Sequence, residues 1–145
     1  MKTWTATATA EAQPADVLNV LTDPDACARW APIAFDVDDL ESRRLSAGSR
    51  ARVSGRLAGR RVGFDVEVHE ADERRLALSA NGPLNMDVSY ELAPAASGSE
   101  VRASVSVKPG RGLCARLLAE ATGALLTAGA LQHAVARIAR EAALA

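Results

Sequence analysis

Residues 3–12 alternate with a strict period of two. Trp4, Ala6, Ala8 and Ala10 share one parity, and Thr3, Thr5, Thr7 and Thr9 share the other. β-Branched threonines on one side and apolar residues on the other predict a half-buried strand. The period then changes. Val17, Leu18 and Leu21 recur at helical spacing within residues 13–23, and Pro14 suits an early helical position, where a missing N–H costs little. A second short helix is predicted over 23–32, "DPDACARWAP", with Asp23 as its cap, Pro24 opening it and Pro32 ending it.

Six extended segments follow, at 33–42, 49–59, 60–72, 74–80, 85–94 and 99–109, separated by short polar or Gly-containing connections. Segment 33–42 alternates imperfectly. The others alternate well enough to assign faces. Val62, Phe64, Val66 and Val68 oppose Arg61, Asp65, Glu67 and His69; Met86, Val88, Tyr90 and Leu92 share a face, as do Val101, Ala103, Val105 and Val107. Evenly spaced half-buried strands of this kind predict one antiparallel sheet. From 113 onward the pattern is helical. Leu113, Leu117, Ala121, Ala124, Ala128, Leu131, Val135 and Ile138 trace an apolar stripe in steps of three and four. Unbroken, that helix would run on the order of 48 Å. Gly123 and Gly129 each weaken it, so a bend is expected there. The order is one strand, two short helices, six more strands and one long helix. A strongly curved sheet with the terminal helix laid across its concave face accounts for it, because that helix has the only long apolar stripe available as a cover.

The 145 residues suit one domain, and 48 % hydrophobic with 24 % charged residues is ordinary globular composition. A formal net charge of −1 provides no global attraction to nucleic acid, and aromatics at 3 % leave few stacking surfaces for single strands. Residues 1–12 lack the basic head and apolar run of a signal peptide, and no apolar stretch approaches the roughly 20 residues of a membrane span, so a cytoplasmic protein without integral membrane association is expected. Cys27 and Cys114 stand alone, outside any CxxC or Cys/His cluster. Zinc is not expected, and two buried free thiols are favoured over a disulfide. No cofactor is expected.

Catalytic machinery is hard to find. His69 shares the polar parity of Asp65 and Glu67, and His133 lies off the helical stripe, so no Ser-His or Cys-His dyad faces inward. Tyr90 is the best inward polar group, as a ligand contact or as a core tyrosine bonded to protein or water. Arg29 beside Trp30 would suit a ligand carboxylate at a pocket mouth, or merely solvent. Asn81 and Asn85 bracket a loop that either borders an opening or simply turns. Arg50, Arg52 and Arg56 share a strand face as a basic stripe, with Asp36, Asp38, Asp39 and Glu41 close enough in sequence to neutralise it. An acidic protein or an anionic lipid surface is the alternative partner for that stripe.

The element order, "DPDACARWAP" after the first helix, the strand "MDVSYELAP" and the Gly-rich lead into the last helix resemble the START-like (SRPBCC) superfamily, in its polyketide cyclase/dehydrase-like branch. The resemblance spans the whole chain, 1–145, and rests on loose motifs with no catalytic signature. It implies an α+β helix-grip fold: a seven-stranded curved antiparallel sheet wrapped around a long C-terminal helix, with two short helices after the first strand and a cavity inside. It also implies that the protein holds a lipophilic small molecule such as a lipid, a quinone or a polyketide-like compound. A cyclase/dehydrase enzyme is the second reading, and an accessory protein using the Arg-rich convex surface the third. Strand parity and the helical stripe place Phe64, Val66, Leu78, Met86, Val88, Tyr90, Val105, Leu117, Ala121 and Leu125 on the cavity wall. Trp30 is expected at its edge as wall or gate, with Arg29 beside it, and no residue is assigned to catalysis. Ligand identity and a homodimer stay open.

Overall fold

The computed structural model describes residues 2–30, 35–40, 44–57 and 59–144, and the side chains of all of these except 24, 28, 30, 35–40, 57, 109 and 114. Strand β1 (Lys2–Ala10) is followed by helices α1 (Pro14–Thr22) and α2 (Pro24–Trp30). Strands β2 (Phe35–Leu40), β3 (Arg50–Leu57), β4 (Arg60–Ala71), β5 (Arg75–Asn81), β6 (Leu84–Ala95) and β7 (Gly98–Pro109) come next, then helices α3 (Leu113–Thr127) and α4 (Ala130–Leu144). All seven strands form one antiparallel sheet in the order β1-β7-β6-β5-β4-β3-β2. This is the α+β helix-grip architecture expected from the sequence.

Local chemistry explains the early turns. Pro14 opens α1, and the Asp23 carboxylate accepts the backbone N–H of Asp25 at 3.0 Å, capping α2. Pro32 lies outside the described residues, as does the side chain of Trp30. The imperfect alternation of 33–42 has a cause in β2, where the pairing with β3 slips between Val37 and Asp39. A bulge of this kind places one extra residue on one strand and resets its faces. β4 carries another between Val68 and Glu70, with His69 as the extra residue.

Register makes the inner face a set of cross-strand rows. Leu76, Tyr90, Ala103 and Ala6 are successive partners across β5, β6, β7 and β1. Val68, Leu78, Val88, Val105 and Trp4 form the next row, and Val66, Ala80, Met86 and Val107 the one after. The outer face is polar, with Arg52 paired to Asp65 at 2.8 Å and His69 bonded to the Ser79 hydroxyl at 3.0 Å. The stripe of arginines thus finds its first described partner on β4. Asp39 stands opposite Arg52 in the β2 register as well.

The expected long helix is two helices. Gly129 takes φ +102°, a left-handed conformation that L side chains rarely adopt, and α3 ends at Ala128 just before it. α3 runs unbroken through Gly123. That glycine makes room for Trp4, since a Cβ there would already touch the indole ring at 3.4 Å. The break resets the helical phase. α4 buries Leu131, Ala134, Val135, Ile138, Ala139 and Ala142, in agreement with the sequence stripe. α3 buries Ala115, Leu118 and Thr122 instead of the face carrying Leu113, Leu117 and Leu125.

The two helices cover the sheet unequally. α4 packs on β1, α1 and α2. Around it Val17, Leu21, Leu76, Val101, Ala103, Val135 and Ile138 are almost wholly buried. α3 packs mainly on β7 and β6.

The turn between β6 and β7 supplies a test of the fold. Gly98 sits at φ +145°, and a Cβ there would meet Ala10 O at 2.3 Å and Ala12 N at 2.6 Å. Both contacts are with backbone that cannot swing aside. Gly98→Ala is expected to lower stability by about 2 kcal/mol or more, read as a lower urea midpoint with an unchanged slope.

Candidate functional groove

The inner face of the sheet beneath α3 is apolar and incompletely covered. Val53 on β3, Val66 on β4, Leu78 on β5, and Met86 and Val88 on β6 point inward, yet each stays half-buried. Their neighbours one row away toward α4, Leu76, Tyr90 and Ala103, are sealed. α3 packs mostly small side chains against the core, Ala115, Ala119 and Thr122, with Leu118 and Leu126 as the larger ones. A face of this kind leaves room where larger residues would fill it.

Several predicted wall residues come together here. Val66, Leu78, Met86 and Val88 form a contiguous patch across three paired strands. Phe64 lies on the same face of β4, buried against the β5–β6 hairpin, so that a Cβ at Gly82 would strike its ring at 2.9 Å. Val105 is buried between Val88 and Trp4. Ala121 is half-buried on α3, on the side of that helix that carries Leu117 and Leu125 and not on the side turned to the sheet.

Others lie elsewhere. Leu117 is 56 % exposed and Leu125 43 % exposed, because the phase of α3 differs from the phase extrapolated back from α4. Arg29 donates from Nε and Nη2 to the two carboxylate oxygens of Glu141, each at 3.2 Å, and ties α2 to α4. Glu141 holds that guanidinium even more firmly protonated than usual. Asn81 and Asn85 pair across the hairpin on the exposed outer face. The Trp30 reading falls on a side chain outside the described residues.

Tyr90 is 5 % exposed, in the sealed row. Burial pushes its phenol well above the ordinary value, and the nearby Cys27 adds to the effect. Cys27 is free, buried, and donates its thiol to Leu21 O at 3.3 Å. Burial, with help from the Asp23 charge, raises it from 9.0 to about 12. At neutral pH both groups are protonated, so neither is poised as a nucleophile or base. Among the described inward-facing residues of β4–β6 from Val62 to Leu92, Tyr90 is the only polar side chain. No three described His, Cys, Asp or Glu residues could hold a metal ion together.

One feature of the groove was not legible as a site. Trp4 donates its indole N–H to Thr127 Oγ1 at 3.2 Å and rests against Gly123, linking the edge strand to α3. Beside it opens a cleft of about 570 Å³ lined by Trp4, Val107, Ala119, Lys2, Arg116 and Glu120, among others. The sequence signal was the Trp4 parity itself, which marks the ring as inward-facing but carries no information about its helical partner.

These features fit the comparisons with known proteins. Residues 1–143 match the family described as Polyketide cyclase / dehydrase and lipid transport, and the chain belongs to that family. TTHA0849 from Thermus thermophilus superposes with a TM-score of 0.74 at 16 % identity, over 97 % of each chain. CV1439 from Chromobacterium violaceum gives 0.67 at 18 % identity, over 94 % of this chain and 96 % of that one. DynU16, a protein in the dynemicin biosynthetic locus, gives 0.62 at 23 % identity; the match covers 97 % of this chain but only 46 % of DynU16. At these identities the likeness is one of fold. No curated protein matches the sequence. Among the described residues no helix is long and apolar enough to cross a membrane.

The buried thiol yields a pH prediction. An unfolded Cys27 ionises near its ordinary value of 9.0, while the folded thiol keeps its proton to about 12. Between those values the unfolded chain binds fewer protons than the folded one, so stability falls as pH rises through the window. Urea unfolding followed from about pH 8 to about pH 9.5, below the range where the buried Tyr90 phenol adds a decline of the same sign, is expected to show this decline, and Cys27→Ala to flatten it. An equally steep decline in the variant would contradict the assignment.

Proposed function

We propose that the chain binds a lipophilic small molecule in the groove between the sheet and α3, as a carrier or presenter with no chemistry of its own. One observation carries this reading. Val53, Val66, Leu78, Met86 and Val88 face inward on four adjacent strands and remain half-buried beneath a helix that should cover them. Apolar surface left partly wet is the surface that a hydrophobic ligand would cover, at a gain of roughly 25 cal/mol per Å². The apolar wall supports a ligand recognised by shape: a lipid, a quinone or a polyketide-like compound. The family description includes lipid transport, which agrees with this reading. A cytoplasmic location belongs to the same proposal.

A cyclase/dehydrase activity draws on the family description and on the biosynthetic locus of DynU16. Such an enzyme would need a polar group at the reacting carbonyls. Tyr90 lies in the sealed row and Arg29 is held by Glu141, so the described wall favours binding.

Native mass spectrometry and fluorescence displacement with fatty acids, quinones and aromatic polyketides provide the test. One ligand per chain is expected, with micromolar or tighter affinity for at least one class. Leu78→Trp should fill the groove and weaken binding more than tenfold, while the protein still unfolds cooperatively. The absence of binding across the panel, or binding indifferent to Leu78→Trp, would rule the groove out.

A further inference from the structure

α3 buries one face and exposes a second that is equally apolar. At about 100° per residue, Leu113, Leu117, Ala121, Ala124, Leu125 and Ala128 fall within an arc of about 120°, which adjoins the buried face where Leu125 neighbours Leu118. Leu113 is 73 % exposed, Leu117 56 % and Leu125 43 %. Of the large exposed hydrophobics among the described residues, only Leu144 lies elsewhere. A surface helix ordinarily carries charged and polar residues on this side.

Positive charge borders the apolar face. Arg116 and Lys2 line the cleft beside Trp4, and that cleft shares Ala124 with the exposed face. Arg111 is exposed just before the helix begins. None of these three cations makes an ion pair with a described residue. Glu120 is the one acidic residue lining the cleft. The outer-face arginine Arg52, by contrast, is already neutralised by Asp65.

We infer that α3 docks on the surface of an anionic phospholipid bilayer, with its leucines at the acyl boundary and Lys2, Arg111 and Arg116 at the headgroups. An apolar helical face flanked by unpaired cations is the combination that a negatively charged bilayer attracts. A second copy of the chain fits less well. One helical face with three leucines offers much less than the roughly 800 Å² per partner of a stable interface. The inference does not depend on the ligand: it concerns the outward face of α3, and vesicle binding is read with no ligand added.

The experiment is co-sedimentation of the full chain with phosphatidylcholine vesicles, with and without phosphatidylglycerol. Binding is expected only with the anionic lipid, and it should weaken several-fold between roughly 0.1 M and roughly 0.5 M salt. Arg116→Gln should weaken it roughly fivefold, and Leu117→Ser with Leu125→Ser about tenfold or more. Both leucines are exposed, so an unchanged unfolding midpoint checks that the double variant is folded. Arg50→Gln on β3 should leave binding unchanged. No sedimentation with anionic vesicles, or equal sedimentation of the leucine variant, would overturn the inference. So would a dimer in analytical ultracentrifugation that the leucine variant abolishes, without vesicle binding, since the face would then belong to a second copy.

Discussion

The structure depends on how one curved sheet has its apolar face covered. Seven antiparallel strands turn valines, leucines and alanines toward a single side, and the C-terminal segment is the main cover available. Exposed, that face would cost far more than the marginal stability of a domain this size. The cover is divided at Gly129, where a left-handed backbone ends one helix and begins another. α4 meets its half with Leu131, Val135 and Ile138 among alanines and seals it together with α1 and α2. α3 meets its half with alanines, two leucines and a threonine, and leaves apolar wall partly open. The functional reading follows from that inequality.

The division sets a sealed half against a partly covered one within a small chain. The sealed half holds Val17, Leu21, Tyr90, Val101, Val135 and Ile138, together with the protonated thiol of Cys27. The Arg29–Glu141 pair straps α2 to α4 across the outside of this half. Such an exposed pair contributes little to stability but keeps both charges occupied. The half under α3 is filled only in part: Leu84, Val105, Val107 and Leu118 are buried, while Val66, Leu78, Met86 and Val88 stay half-buried. The Trp4 ring against Gly123 and its N–H to Thr127 also tie α3 to the edge of the sheet.

The strands were legible because a period of two is hard to misread when polar and apolar residues alternate cleanly. The inward parity of Phe64, Val66, Leu78, Met86 and Val88 follows from sequence alone, and the bulges at β2 and β4 disturb it only locally. The helix was half legible. The stripe through Leu131, Val135 and Ile138 is the buried face of α4. Carried back through residue 129 as though the helix were continuous, it lands on Leu113, Leu117 and Leu125, which are exposed. Gly129 marked a weak point, but the phase change depends on the backbone angle adopted there. The partner of Arg29 was not legible for a related reason: Glu141 lies 112 residues away, and pairing at that distance leaves no local trace.

The central claim is that the wall beneath α3 is open to an apolar guest while the wall beneath α4 is filled. Methionine occurs only at positions 1 and 86, so labelling the methionine and valine methyl groups places one methionine probe on that wall, with Val101 and Val135 as probes of the sealed half. Nuclear magnetic resonance of the labelled chain, titrated with a lipophilic ligand that binds it, tests the claim directly. The account predicts a saturable shift of the Met86 methyl, with the methyls of Val101 and Val135 in the sealed half left in place. A ligand that binds without moving Met86, or that moves Val101 and Val135 instead, would contradict it.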